Sequence, residues 1–141
     1  MSNRTIRVAA LQELAMPGSS VQDKLDRTLT LIEQASKDGA KIIMGGELST
    51  TDYVRVYGEK DNDIFADAET IPGPGTAAVG ELTKKYGNYV IFPIFEKGAP
   101  GIYYNSAPIV GPDGSVVGNY RKTQVAGVQA LEKMYFRAGQ D

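Results

Sequence analysis

The chain has 141 residues, 42% hydrophobic and 23% charged, which fits one soluble domain with enough material for a core. Its 15 basic and 17 acidic residues leave a formal charge of −2 without a basic face, which argues against nucleic acid or an acidic membrane as a partner. With no cysteine and no histidine, disulfides, thiolate metal sites, a thiol nucleophile within these residues and a Ser-His-Asp triad are all excluded.

Residues 1–7 are polar and lead into a strand-like run with no signal-peptide core or spanning stretch, so a cytoplasmic location is expected. Residues 6–11 (IRVAAL) are short and apolar and read as a buried strand. After the Pro17-Gly18-Ser19-Ser20 punctuation, Ser20 can cap a helix over residues 21–37, with Asp23 three residues on. Val21, Leu25, Leu29, Ile32 and Ala35 fall on one face, and Gly39 is placed to stop the helix. Residues 41–44 read as a second buried strand, which makes a right-handed βαβ unit with parallel strands. Residues 49–71 are polar without a clean period, a loop or a hidden short helix. Pro72-Gly73-Pro74-Gly75 lacks the lysine and hydroxyl spacing of a phosphate loop, and it opens a helix carrying Ala78, Val79, Leu82 and Tyr86 on one face, closed by Gly87. Residues 89–95 (YVIFPIF) form a strand that Pro93 should interrupt. Residues 103–110 and 116–120 flank Gly111-Pro112-Asp113-Gly114, a turn signal for a hairpin. The tail, residues 123–141, offers no further strand or long helix to cover the sheet.

Three residues stand out for chemistry. Glu47 follows Gly45-Gly46 at the C-terminal end of a parallel strand, where ligands collect in such sheets. Lys122 ends the phrase Tyr120-Arg121-Lys122-Thr123, and Glu132 opens Glu132-Lys133-Met134-Tyr135-Phe136. Each has a plainer reading: a solvated loop glutamate, a basic strand end, and a surface pair with Lys133. Glu96 and Lys97 read as a solvated strand edge.

Taken together and in order, these phrases resemble the nitrilase, or carbon-nitrogen hydrolase, superfamily over nearly the whole chain. The match runs through residues 8–12 (VAALQ), 38–43 (DGAKII), Glu47-Leu48 with Tyr53 six residues after the glutamate, Tyr104-Asn105-Ser106-Ala107, Pro112-Asp113-Gly114, and the Lys122 and Glu132 phrases up to Gly139. The resemblance implies an α-β-β-α sandwich, here only its N-terminal part, with residues 1–141 as a domain truncated before the nucleophile strand. It implies a Glu-Lys-Cys triad acting on a small amide, carbamoyl or nitrile substrate. Glu47 would be the general base, Lys122 the oxyanion-stabilising cation, Glu132 a second glutamate orienting the lysine or substrate, and Tyr53 a residue near the pocket. The cysteine would lie on a strand beyond Glu132. No metal or organic cofactor is implied, and the complete protein is expected to be a homo-oligomer. Two positions depart from the pattern: Gly46 stands where the family often has proline, and Gln124 where it often has histidine.

Chemically, a thiol near its usual pKa of about 8.5 needs a base at neutral pH, and the oxyanion formed on attack needs a fixed cation. Without its cysteine the chain is expected to be inactive alone. The alternative is a non-catalytic truncated or degenerate relative that binds a partner or ligand. A glycosidase using Glu47 and Glu132 ranks far lower, because no tryptophan and no aromatic sugar platform is present. An incomplete sandwich should also leave apolar sheet surface uncovered.

Overall fold

The computed structural model describes residues 5–13, 19–53, 63–127 and 132–140. The chain runs β1 (Val8–Ala10), α1 (Val21–Lys37), β2 (Ile42–Met44), a short 3-10 helix (Asp63–Asp67), α2 (Pro74–Tyr86), β3 (Tyr89–Ile91), β4 (Ile94–Lys97), β5 (Tyr103–Val110), β6 (Val116–Arg121) and a 3-10 turn (Glu132–Met134). The six strands form one mixed sheet in the order β1-β2-β3-β5-β4, with β6 on the other side of β5. β1, β2 and β3 are parallel, and β5 is antiparallel to β3, β4 and β6. β3 and β4 are one strand line broken at Phe92-Pro93, since both pair with β5 and proline cannot donate to the ladder.

Local chemistry accounts for the helices. The Ser20 side chain accepts from the Asp23 amide while the Asp23 carboxyl accepts from the Ser20 amide, a reciprocal cap that starts α1 where the sequence suggests. Asp38 caps its end, and Gly39 then takes φ +85°, a conformation in which a side chain would be strained. α2 starts at Pro74 and ends at Gly87, which adopts the left-handed conformation.

Both helices lie on one face of the sheet. Leu25 and Ile32 of α1, Val79 of α2, and Ile43, Val90, Ile94 and Val110 of the strands form one buried cluster. Ile43, Val90 and Val110 are cross-strand neighbours, so a single row of side chains meets the helices. Among the described residues the opposite face is covered at one end, where Leu48, Ile64, Phe95, Tyr135 and Phe136 form a second cluster. The tail therefore does more than expected: a 3-10 turn brings Tyr135 and Phe136 onto Phe95 of β4, with the Phe95 and Phe136 rings edge to face at 5.1 Å.

Two expectations change. β1 and β2 are buried on one face only: Ile43 is inaccessible, whereas Val8 and Met44 are 63% and 48% exposed. Parallel strands with apolar residues on both faces are normally covered on both, and no described residue supplies the second cover over Val8 and Met44. Glu96 is not a solvated edge. It lies on the same face as Ile94, is 3% exposed, and accepts from Ser106, Asn119 and Arg121. The buried carboxylate is thereby paired with a guanidinium that also rests over the Tyr104 ring.

The bare face carries Val8, Met44, Tyr89 and Tyr120, all exposed. The chain is expected to self-associate through it, seen in sedimentation velocity as a weight-average size that grows with concentration. Replacing Val8 and Met44 together by lysine should shift the population to smaller species. A monomer unchanged across the concentration range would contradict this.

Candidate functional site

The turn after β2 holds Glu47 through its backbone neighbours. The Gly45 amide donates to Ile91 O at 3.0 Å and the Ser49 amide to Pro93 O at 2.9 Å, which ties both sides of the turn to the β3–β4 line. The Ser49 hydroxyl donates to Gly46 O at 2.7 Å. Leu48 has φ +55°, unusual for a branched residue, and its side chain is buried in the second cluster. Reversing the chain there points Leu48 into the core and leaves Glu47 at the surface of the site.

Lys122 arrives by extension of the hairpin. β6 pairs with β5 up to Ser106–Arg121, and the Lys122 amide then donates to Asn105 O at 2.8 Å. The Gly139 amide donates back to Lys122 O at 2.9 Å, so the tail closes over this strand end. Glu132 has no solvent contact at all. Its Oε2 accepts from the Ala126 amide at 3.0 Å, and its Oε1 from the Tyr53 hydroxyl and from Lys122 Nζ, the latter at 2.9 Å. Lys122 Nζ also donates to Glu47 Oε1 at 2.9 Å. All four residues singled out in the sequence are thus joined through Lys122 and Glu132, and none of the plainer readings describes Lys122 or Glu132.

Asn105 completes the group and was not assigned a role from sequence. Its Nδ2 donates to Glu47 Oε1 at 2.6 Å. The available signal was a polar side chain inside the strand phrase Tyr104-Asn105-Ser106, at a position that alternation sends to the same face as Phe95. Lys122 and Asn105 both bond Oε1 of Glu47, and no hydrogen bond to Oε2 occurs among the described residues. Beside Glu47 lies a cleft of about 390 Å³, lined by Gln12, Arg27, Ser49, Thr51 and Tyr53 among others.

Electrostatics fixes the charge of the centre. Burial works against the charge on Lys122, yet the bonds to Glu132 and Glu47 outweigh it and raise its pKa above the ordinary lysine value. Burial likewise opposes charge on Glu132, but bonds from Tyr53, Lys122 and the Ala126 amide hold its pKa below the ordinary glutamate value. Burial and then the bond to Glu132 push the Tyr53 phenol up to about 12. Lys122 is therefore a permanent cation at neutral pH, not a base.

A family model described as carbon-nitrogen hydrolase matches residues 7–141. The chain is 31% identical over 135 residues to omega-amidase NIT2 of Mus musculus, covering 94% of this chain and 45% of that protein. Against omega-amidase NIT2 of Bos taurus the identity is 32% with the same coverage. Among solved structures, a carbon-nitrogen hydrolase from Helicobacter pylori G27 superposes with a TM-score of 0.83 at 29% identity, covering 96% of this chain and 45% of that one. An amidase from Nesterenkonia sp. shares the fold, with a TM-score of 0.75 at 22% identity over 96% of this chain and 49% of that one. The chain spans about half the length of the relatives it matches.

Lys122→Met should leave the inaccessible Glu132 uncompensated and cost about 3 kcal/mol at pH 7 in urea denaturation. The folded pKa of Glu132 is lowered, so its contribution is present above the unfolded value of about 4.3 and is lost as pH falls through the folded value. The penalty of Lys122→Met should therefore shrink at pH 4, where Glu132 can take up a proton; an equal penalty at both pH values would contradict the pairing. For Tyr53 the sign reverses: its raised folded pKa gives stability that is complete below about 10 and lost as pH rises toward about 12. Tyr53→Phe should remove this alkaline component, measured by urea denaturation between pH 8 and pH 11.

Proposed function

The chain belongs to the carbon-nitrogen hydrolase family, and on that premise we propose that residues 1–141 are the N-terminal part of an enzyme hydrolysing a small amide, carbamoyl or nitrile substrate. The nucleophile in this reading is a cysteine supplied from outside these residues. One observation carries the assignment of roles: Glu47 has its Oε1 bound by Lys122 and Asn105, while Oε2 has no partner among the described residues. That oxygen is free to accept the thiol proton, and a fixed ammonium stands on the other side of the same carboxylate.

For an amide the steps balance with protein groups and water. Glu47 takes the proton from the thiol as sulfur attacks the carbonyl carbon, and the carbonyl oxygen gains the negative charge. Lys122, held charged by Glu132, stabilises that oxyanion. Collapse expels the amine, which leaves with the proton from Glu47, and an acyl-enzyme remains. Water, deprotonated by Glu47, then releases the carboxylic acid and the thiol. A nitrile would pass through a thioimidate instead. Glu132, Tyr53 and Asn105 serve as positioning groups for Lys122 and Glu47. In a mutant of the amidase from Nesterenkonia sp., the acetamide moiety of fluoroacetamide adds covalently at the active-site cysteine, which supports a nucleophilic cysteine in that enzyme and leaves the acylation step to the geometry above.

We assign the complete protein to the cytoplasm as a homo-oligomer. No helix among the described residues is long and apolar enough to cross a membrane. The second reading, a non-catalytic relative that binds a partner, is favoured by the lack of any cysteine among the 141 residues.

The purified chain should show no amide turnover above background. Reading the transcript beyond the Asp141 codon should reveal an in-frame strand bearing a cysteine, and the longer product should hydrolyse small carboxamides. In that product Glu47→Gln and Lys122→Ala should each lower kcat by at least about 100-fold. Robust turnover by the 141-residue chain would overturn the missing-nucleophile reading. A stop codon directly after Asp141 would favour the non-catalytic one.

A further inference from the structure

Gly46 stands directly before the proposed base, at the position where the family resemblance leads one to expect proline. A proline there has a fixed φ and no amide hydrogen, so it both stiffens the turn and leaves no donor to satisfy. Glycine does the reverse: its φ is free, and its partly buried amide is best satisfied by an acceptor. The acceptor is Glu13, 33 residues earlier in the chain. Glu13 Oε2 accepts from the Gly46 amide at 3.0 Å, and Glu13 Oε1 accepts from the Thr28 hydroxyl at 2.7 Å. Thr28 is a buried residue of α1, 1% exposed.

Topology explains how Glu13 reaches this place. β1 and β2 are adjacent and parallel, and the Leu11 amide extends their ladder by donating to Met44 O at 2.8 Å. The two chains therefore leave the sheet side by side, Glu13 two residues past Leu11 and Gly46 two past Met44. The fit is close: a Cβ on Gly46 would come within 2.7 Å of Glu13 Oε2. Glycine at 46 and glutamate at 13 are matched to each other, and a side chain at 46 would displace the carboxyl group.

We propose that Glu13 is a positioning residue for Glu47, clamping the turn that carries it to helix α1 and replacing the rigidity that proline would supply at position 46. The clamp acts beside the other ties of the turn, from Gly45 to Ile91 and from Ser49 to Pro93, and it holds the amide of the residue immediately before Glu47, whose carbonyl accepts from the Ser49 hydroxyl within the turn. The inference rests on the reading of Glu47 as a base aimed with Lys122, and it can fail separately from it.

The test uses the 15N-labelled 141-residue chain and reads solvent exchange of the Lys122 side-chain ammonium by NMR at neutral pH, with thermal melting alongside. In the unmodified chain the ammonium, bonded to Glu47 and Glu132, should exchange more slowly than those of exposed lysines. Glu13→Ala should speed that exchange by about fivefold as Glu47 loosens, whereas Glu13→Gln, which keeps an acceptor for Gly46, should stay near the original rate. Adding Gly46→Pro to Glu13→Ala should restore slow exchange, although Gly46→Pro alone, which forces the proline ring against Glu13, should not improve on the unmodified chain. Thr28→Val, which removes only the anchor of the clamp, should speed exchange partially and serves if Glu13→Ala does not fold. Substitutions that lower the melting temperature yet leave the Lys122 exchange unchanged would overturn the positioning role alone. Fast exchange in the unmodified chain would overturn the assembled site and the clamp with it.

Discussion

A carboxylate without solvent contact persists in a fold only if its charge is answered, and Glu132 is such a carboxylate. Lys122 answers it, together with the Ala126 amide and the Tyr53 hydroxyl. Because Lys122 sits at the end of β6 and Glu132 in the tail, this bond seats the tail on the sheet and brings Tyr135 and Phe136 over Phe95. The same ammonium reaches Glu47 at the end of β2. One cation thus joins the tail, 10 residues on, to the turn after β2, 75 residues back, and its charge is secured by the group that most needs it.

The two faces of the sheet differ in what they require. On the helix side, one row of aliphatic side chains meets α1 and α2, and truncating a fully buried member such as Ile43 would cost about 2–5 kcal/mol. On the other side, the cover supplied by the described residues is the aromatic cluster next to the site. Among the described residues the site therefore lies where the cover of that face begins, and Val8, Met44 and Tyr89 are exposed beyond it. Relatives that are about twice as long share the fold of the part present here.

Local signals in the sequence were enough for both helices, because the Ser20–Asp23 cap, the Gly39 stop and the Pro74 and Gly87 ends act over a few residues. The hairpin and the break at Pro93 were legible for the same reason. Burial was harder. The apolar runs 6–11 and 41–44 suggested strands buried on both faces, but side-chain type does not say whether a second layer is present. Glu96 looked solvated and is buried because its partner, Arg121, comes from another strand. In the site, Glu47, Lys122, Glu132 and Tyr53 were suggested by the order of several phrases, and their meeting depends on the tail folding back. Asn105 was marked only as a polar residue inside a strand phrase and Glu13 carries no local mark; each gains its place from the pairing of strands. Residues 1–4, 14–18 with Pro17-Gly18 of the expected punctuation, 54–62 of the expected long loop, and 128–131 and 141 of the tail lie outside the described residues.

The bond between Lys122 and the inaccessible Glu132 can be tested most directly by titrating the Glu132 side-chain carboxyl carbon by 13C NMR, in the unmodified chain and in Lys122→Met. A charged, paired Glu132 should titrate below the ordinary glutamate range in the unmodified chain and move well above it when the ammonium is removed. An ordinary or raised pKa in the unmodified chain, or one indifferent to the loss of Lys122, would contradict the central role of this pair.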